Sequence, residues 1–96
     1  MAIYKNITSA TTTSLTTKDS IFVTYEKISI SNNSANDATV SLFVDDGTNS
    51  NYYFKNVVIP TGVSLVINDL MPFVKQTFIL KITNSGTSPD ISVILS

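Results

Sequence analysis

The run ISISNNSANDATVSLFVDDGTN, from Ile28 to Asn49, decides how this sequence folds. Ile28 and Ile30 alternate with serines, and Val40, Leu42 and Val44 alternate with Thr39, Ser41 and Phe43. A period of two puts each apolar set on one face of a strand. Between the two sets lies Asn32–Asp37, five small polar residues and Ala35, in which the Asn, Asp and Ser side chains satisfy turn backbones. After the second set comes Asp45-Asp46-Gly47, the start of a hairpin loop. The run therefore predicts two half-buried strands and the loops that serve them.

The same grammar extends in both directions. Tyr52–Ile59 reads as the strand returning from the hairpin, and Pro60-Thr61-Gly62 as a turn in which Gly supplies a positive φ. Val63–Ile67, Thr77–Thr83 and Ile91–Leu95 alternate again, separated by the irregular Asn68–Gln76, with one short helical turn before Pro72, and by the turn cluster Asn84–Asp90. Upstream, Ser20–Ser31 carries Ile21, Val23 and Tyr25 on one parity and Ile28 and Ile30 on the other. Such a phase change near Glu26-Lys27 predicts a bend, a bulge or two separate strands. Seven to eight antiparallel strands at short spacing, divided by turns, predict an all-β chain forming a single β-sandwich, Ig-like or jelly-roll-like. Its expected centre is Val40, Leu42, Leu65, Ile67, Phe78, Leu80, Ile82, Val93 and Leu95. Phe22, Phe43, Val66, Ile79 and Ile94 fall on outward parity, and some of them are expected to be covered by a partner.

Residues 1–19 differ from the rest. Ala2–Asp19 holds six Thr and two Ser, with Ile3, Tyr4, Ile7 and Leu15 as its large apolar groups. β-Branched residues favour extended backbone. The segment is expected to be an N-terminal arm or edge strand outside the 20–96 sandwich domain, laid against a neighbouring subunit or a shell with Ile3, Tyr4 and Ile7 as anchors. On that reading, removing residues 2–10 leaves the sandwich folded.

Composition narrows the chemistry. At 96 residues the chain is one domain. It has no Cys and no His, which removes disulfides, thiolate metal sites, and the commonest general base and zinc ligand. The net charge is −1, and the six basic residues are scattered lysines, against a nucleic-acid surface. Apolar runs are too short to span a membrane, and MAIYKNITSA lacks the apolar region of a secretory signal. The absence of Cys fits synthesis in a cytosol. Serines have no His partner, the three Gly form no phosphate loop, and Asp69 and Asp90 lie in separate turns. The chain therefore reads as non-enzymatic, without cofactor. Asp45, Asp46, Asn49 and Asn51 place oxygen donors in one loop, but not at EF-hand spacing, so the hairpin-turn reading is preferred to a metal site. Of the consecutive Tyr52, Tyr53 and Phe54, at least one must leave the core. With Phe43, Tyr52 and Tyr53 are candidate partner contacts, or a platform for a glycan.

Three segments taken together, ISISNNSANDATVSLFVDDG, YYFKNVVIPTGVSLVI and LKITNSGTSPDISVILS, carry a resemblance. Their order is strand, Asn-rich loop, strand; strand ending in Ile-Pro-x-Gly; final hairpin. It resembles the small β-sandwich virion structural proteins of tailed bacteriophages, including those of marine cyanobacteria, over about Ser20 to Ser96. Members commonly carry a Pro-x-Gly turn before the first core strand, which LTTKDSIFVTYEKI lacks. The resemblance implies a capsid decoration, or cement, protein of the virion, assembled in the host cytoplasm. Its implied partners are the major capsid protein or other virion proteins, with self-association on the particle and neither nucleic acid nor membrane. The alternatives are a neck, tail or baseplate accessory and a host-glycan-binding module. It carries over no catalytic or cofactor residue.

Overall fold

A computed structural model describes residues 3–16, 25–70 and 77–96. Among these residues there is no helix, and eight strands form two four-stranded sheets. The strands are β1 (Ile3–Ile7), β2 (Thr12–Ser14), β3 (Ile28–Asn32), β4 (Ala38–Asp45), β5 (Ser50–Ile59), β6 (Ser64–Ile67), β7 (Ile79–Ser85) and β8 (Ile91–Leu95). One sheet runs β1-β8-β3-β6 and the other β2-β7-β4-β5, with every neighbouring pair antiparallel.

That order has a simple origin. β4 pairs with β5 through the Asp45–Ser50 hairpin, then β3 with β6, β2 with β7 and β1 with β8. The chain is thus one long antiparallel hairpin whose two arms separate between sheets. Rolling that hairpin brings β8 beside β3 and β7 beside β4, which completes each sheet. This is jelly-roll topology, and it resolves the two sandwich types expected from the sequence.

The core lies between the sheets. Ile28, Ile30, Ile91, Val93 and Leu95 face it from one side, and Val40, Leu42, Leu80 and Ile82 from the other, each essentially inaccessible to solvent. Leu65, Ile67 and Phe78, also expected at the centre, are half-buried and pack on its margin. Loss of a methylene-rich side chain at a fully buried position costs about 2–5 kcal/mol, a large part of the roughly 5–15 kcal/mol that holds a domain together.

Two irregularities interrupt the alternation. Glu26 N and Lys27 N both donate to the Ser96 carbonyl, at 2.8 and 3.0 Å. Two successive amides on one acceptor form a bulge-like step, which accounts for the change of phase before β3. Phe22, Ile21 and Val23 lie outside the described residues; of the segment expected to form a helical turn before Pro72, Asn68, Asp69 and Leu70 are described and follow a bend rather than a helix. The second irregularity is in β5, whose register against β4 shifts twice, so that Phe54 opposes Leu42 and Val57 opposes Val40. Asn56 takes φ 55°, a left-handed conformation that Asn tolerates. Its displaced amide donates to Ser41 Oγ at 2.9 Å. Each bulge reverses the facing of the strand and the second undoes the first, so only Phe54 changes parity and Val58 stays exposed beside the buried Ile59.

The N-terminal segment supplies one strand to each sheet of its own chain. β1 is the edge of one sheet and β2 the edge of the other. Ile7, Leu15 and Thr16 are buried in the chain's own interior. The reading of Ile7 as an anchor for a neighbouring subunit is corrected accordingly: its partner is the core of its own fold. Rolling the hairpin requires this, because the first arm must supply one strand to each sheet.

Removing residues 2–10 should therefore destabilise the domain, not merely trim it. The truncation strips β1 from β8 and empties the Ile7 site, worth about 2–5 kcal/mol by itself. Urea unfolding should show a markedly lower midpoint at similar slope; an unchanged midpoint would return the segment to the status of an arm.

Candidate interaction surfaces

The strands place four loop segments at one end of the sandwich: Thr8–Thr11, Asn33–Asp37, Pro60–Val63 and Gly86–Asp90. Asn32 organises them. It continues the inward parity of Ile28 and Ile30, so its amide side chain is buried at the rim of the core. Nδ2 donates to the carbonyls of Asn36 and Ile59, both at 2.8 Å. Oδ1 accepts from the Ser34 amide at 3.0 Å and the Ser34 hydroxyl at 2.7 Å. A side-chain amide has two donors and two acceptor sites, and all four are used. The Asn32 backbone carbonyl also accepts from Gly62 N, and its amide donates to Val63 O.

Other side chains stitch the remaining segments together. Asn36 Nδ2 donates to Thr87 O at 3.0 Å, and Thr61 Oγ1 donates to the Ser34 carbonyl. Asn6 Nδ2 reaches Asp90 at 2.9 Å, and Asn33 Nδ2 reaches Ser92 Oγ at 2.8 Å. Gly86 lies so close to the Asn33–Asp37 loop that a Cβ there would stand 3.2 Å from the Asp37 carbonyl. Val63 N donates to Pro60 O, closing a turn in which Gly62 sits at φ 75°. Asn84, on the inward parity of Leu80 and Ile82, donates from Nδ2 to Ser9 O, while its buried Oδ1 has no partner among the described residues. The loops of this end are rigid by construction, while Ala35 and Thr87 stay exposed at their tips.

At the opposite end, the Asp45–Asn51 loop is built as a turn. Asp45 Oδ1 accepts from Gly47 N, and Asp45 Oδ2 pairs with Lys81 Nζ at 2.9 Å. Asp46 Oδ1 accepts from the amides of Thr48 and Asn49 at 2.9 and 2.8 Å. The Asn49 amide, followed by that of Thr48, holds the Asp46 carboxyl below its ordinary value. Asp45 Oδ1 and Asp46 Oδ1 thus bind their own loop's backbone, and Asp45 Oδ2 binds β7.

The six expected contact residues separate into different environments. Phe43 lies on the outer face of β4, as its parity predicts, yet it is buried. The ring of Tyr52 covers it, centroid to centroid 5.0 Å, and Lys55 Nζ stands 5.2 Å from the Tyr52 centroid. Tyr52 remains exposed. Tyr53 sits at the β5 bulge, half-buried against the core, and burial pushes its phenol above the usual value. Tyr52 covers the outer face while Tyr53 packs on the core side, so the two rings cannot form the single glycan platform considered from the sequence. Ile3 is half-buried on the core margin, Ile7 is buried, and Tyr4 is exposed at 71%.

The surface that sequence reasoning did not assemble is the outer face of β1-β8-β3-β6. Register aligns Tyr4, Ile94, Ser29 and Val66 in one row across the four strands, and Asn6, Ser92, Ser31 and Ser64 in the next. Tyr4, Ile94 and Val66 are exposed. Ser31 and Ser64 bond hydroxyl to hydroxyl at 2.7 Å. These eight residues include no charge. The outer face of the other sheet carries Asp45, Lys55 and Lys81. Parity had flagged Ile94 and Val66 singly; their alignment with Tyr4 depends on strand order, which a linear sequence does not display.

No protein-family model matches the chain, and no curated protein matches it.

Two measurements probe these surfaces. Asn32→Asp should destabilise the fold more than Asn32→Ala at neutral pH, by at least about 2 kcal/mol relative to wild type. It would bury a carboxylate oxygen against the Asn36 and Ile59 carbonyls; equal stability of wild type and Asn32→Asp would deny Asn32 its organising role. The Asp46 pKa is lowered by folding, so its contribution is present above the unfolded pKa and fades as pH falls through the lower folded value. The loop should accordingly loosen below about pH 4. Amide exchange of Thr48 and Asn49 should rise on acidification, and Asp46→Asn should remove that dependence.

Proposed function

We propose that this chain is a non-enzymatic structural protein of a tailed-phage virion, a capsid decoration protein that braces the head by repeated contacts with the major capsid protein. The observation that carries this reading is how the polar side chains are used. Asn32, Asn36, Thr61, Asp45 and Asp46 bind loop backbone rather than converging on a cleft. At the end that carries Asn32, Asn36 and Thr61 this leaves a stiff set of loops that meets a partner with little ordering cost. The jelly roll recurs in viral capsid and lectin domains, a fold-level analogy that agrees with the sequence resemblance but does not by itself assign a role. Many copies on a symmetric shell convert modest contacts into net stabilisation.

The shell contact falls on the Asn33–Asp37, Pro60–Val63 and Gly86–Asp90 loops. Purified particles should carry the protein at a copy number comparable with that of the major capsid protein, read from a stained gel. Ala35→Arg adds bulk to a loop tip without removing any of the bonds above. It should leave the melting temperature near wild type while sharply reducing incorporation. A copy number of a dozen or fewer would move the protein to the neck, tail or baseplate. Normal incorporation of Ala35→Arg would move the contact off these loops.

A further inference from the structure

We propose that the outer face of the β1-β8-β3-β6 sheet is where two copies of this chain pack against each other, sheet on sheet. This surface is separate from the loop end assigned to the shell, and the inference holds for the purified chain.

The first argument is electrostatic. Depletion of charge marks the centre of protein interfaces, and the two rows that cross this face contain none. Within these two rows two copies can approach without like charges meeting, and, among the described residues, Lys5 is the one charged residue lining the depression beside Tyr4. The outer face of the other sheet would oppose Lys55 and Lys81 to their own copies or bury the Asp45–Lys81 pair, at a desolvation cost.

The second argument is shape. Tyr4 projects from the face, and a shallow depression of about 400 Å³ lies beside it between β1 and β8. A two-fold axis makes an interface isologous, so that a projection and a recess on one copy serve both. Each Tyr4 ring then enters the depression of the other copy, with Ile94 and Val66 burying the rest of the apolar row.

The third argument is that the sheet edges are guarded. Edge strands invite pairing unless short, bulged or interrupted by an inward-pointing charge. Among the described residues, β2 and β6 have three and four residues, and β5 is bulged. β1 is regular, but Lys5 stands on its inward parity between Ile3 and Ile7. Association is directed from the edges to the face.

Area sets the strength. Four strands at about 4.8 Å spacing and four or five residues at about 3.3 Å give a face of roughly 19 by 15 Å. Two such faces bury on the order of 600–1,000 Å², below the roughly 1,200 Å² of a standard specific interface and in the range of weak, transient contacts. The dimer is therefore reversible, and it fills at high local concentration.

The test is sedimentation of the purified full chain over a wide concentration range, without particles. The weight-average mass should rise towards twice that of one chain. Ile94→Lys and Tyr4→Ser should each weaken the association by more than about tenfold while leaving the melting curve near wild type. Tyr52→Ser, on the other sheet, should leave it unchanged. A chain that stays monomeric throughout, or an association that survives both face variants, overturns the proposal. If the wild type is monomeric and Ile94→Lys loses only particle incorporation, the face belongs to the shell rather than to a second copy.

Discussion

The fold depends on apolar contact between two inner sheet faces. The chain has no Cys to cross-link them, and the Asp45–Lys81 ion pair lies outside, partly in solvent, where such pairs add little. Cohesion therefore comes from interdigitation of aliphatic side chains such as Ile30 and Val93 with Leu42 and Leu80. Every other feature follows from keeping that layer closed. The edge strands shield its sides, and the loops must seal its ends without burying unpaired backbone.

Asn32 shows how the loop end meets that requirement. A polar side chain at the margin of an aliphatic layer is a liability unless each of its groups is paired. Here the pairing partners are the carbonyls and hydroxyl of neighbouring loops, so satisfying the amide also fixes the loop path. Asn84 plays a related part across from it, tying β7 to the β1–β2 connection, but with one acceptor left over. Stiffness at this end is thus a by-product of closing the core with amides rather than with apolar caps.

Much of this was legible in the sequence, because alternation is a local property. Val40, Leu42, Leu80, Ile82, Val93 and Leu95 could be placed by counting in twos, and all are buried. The phase change at Glu26-Lys27 could be seen in the same way. What escaped was non-local. Counting gave Phe43 an outward side chain correctly but could not show that Tyr52, on the next strand, covers it. Ile7 was assigned to a contact outside the chain because its neighbours are polar, and only the pairing of β1 with β8 explains its burial. The bulges of β5 were hidden since Asn56 and its neighbours read as ordinary strand residues. Asn32 was read as loop, although its continuation of the Ile28 and Ile30 parity was the available signal. The uncharged face lay in the letters throughout, divided among four segments that only the topology joins.

The position of β8 bears on how the protein is made. It lies inside its sheet, between β1 and β3, and it is synthesised after every other strand of both sheets. During translation β1 has no sheet to join, and β3 lacks one of its two neighbours. The inner faces of the first seven strands stay wet until Ile91–Leu95 emerges. Non-local pairing of this kind is slow and leaves apolar surface open in the interval. The small polar residues that fill the loops then do a second service: they keep an unfinished chain dispersed until its last strand arrives.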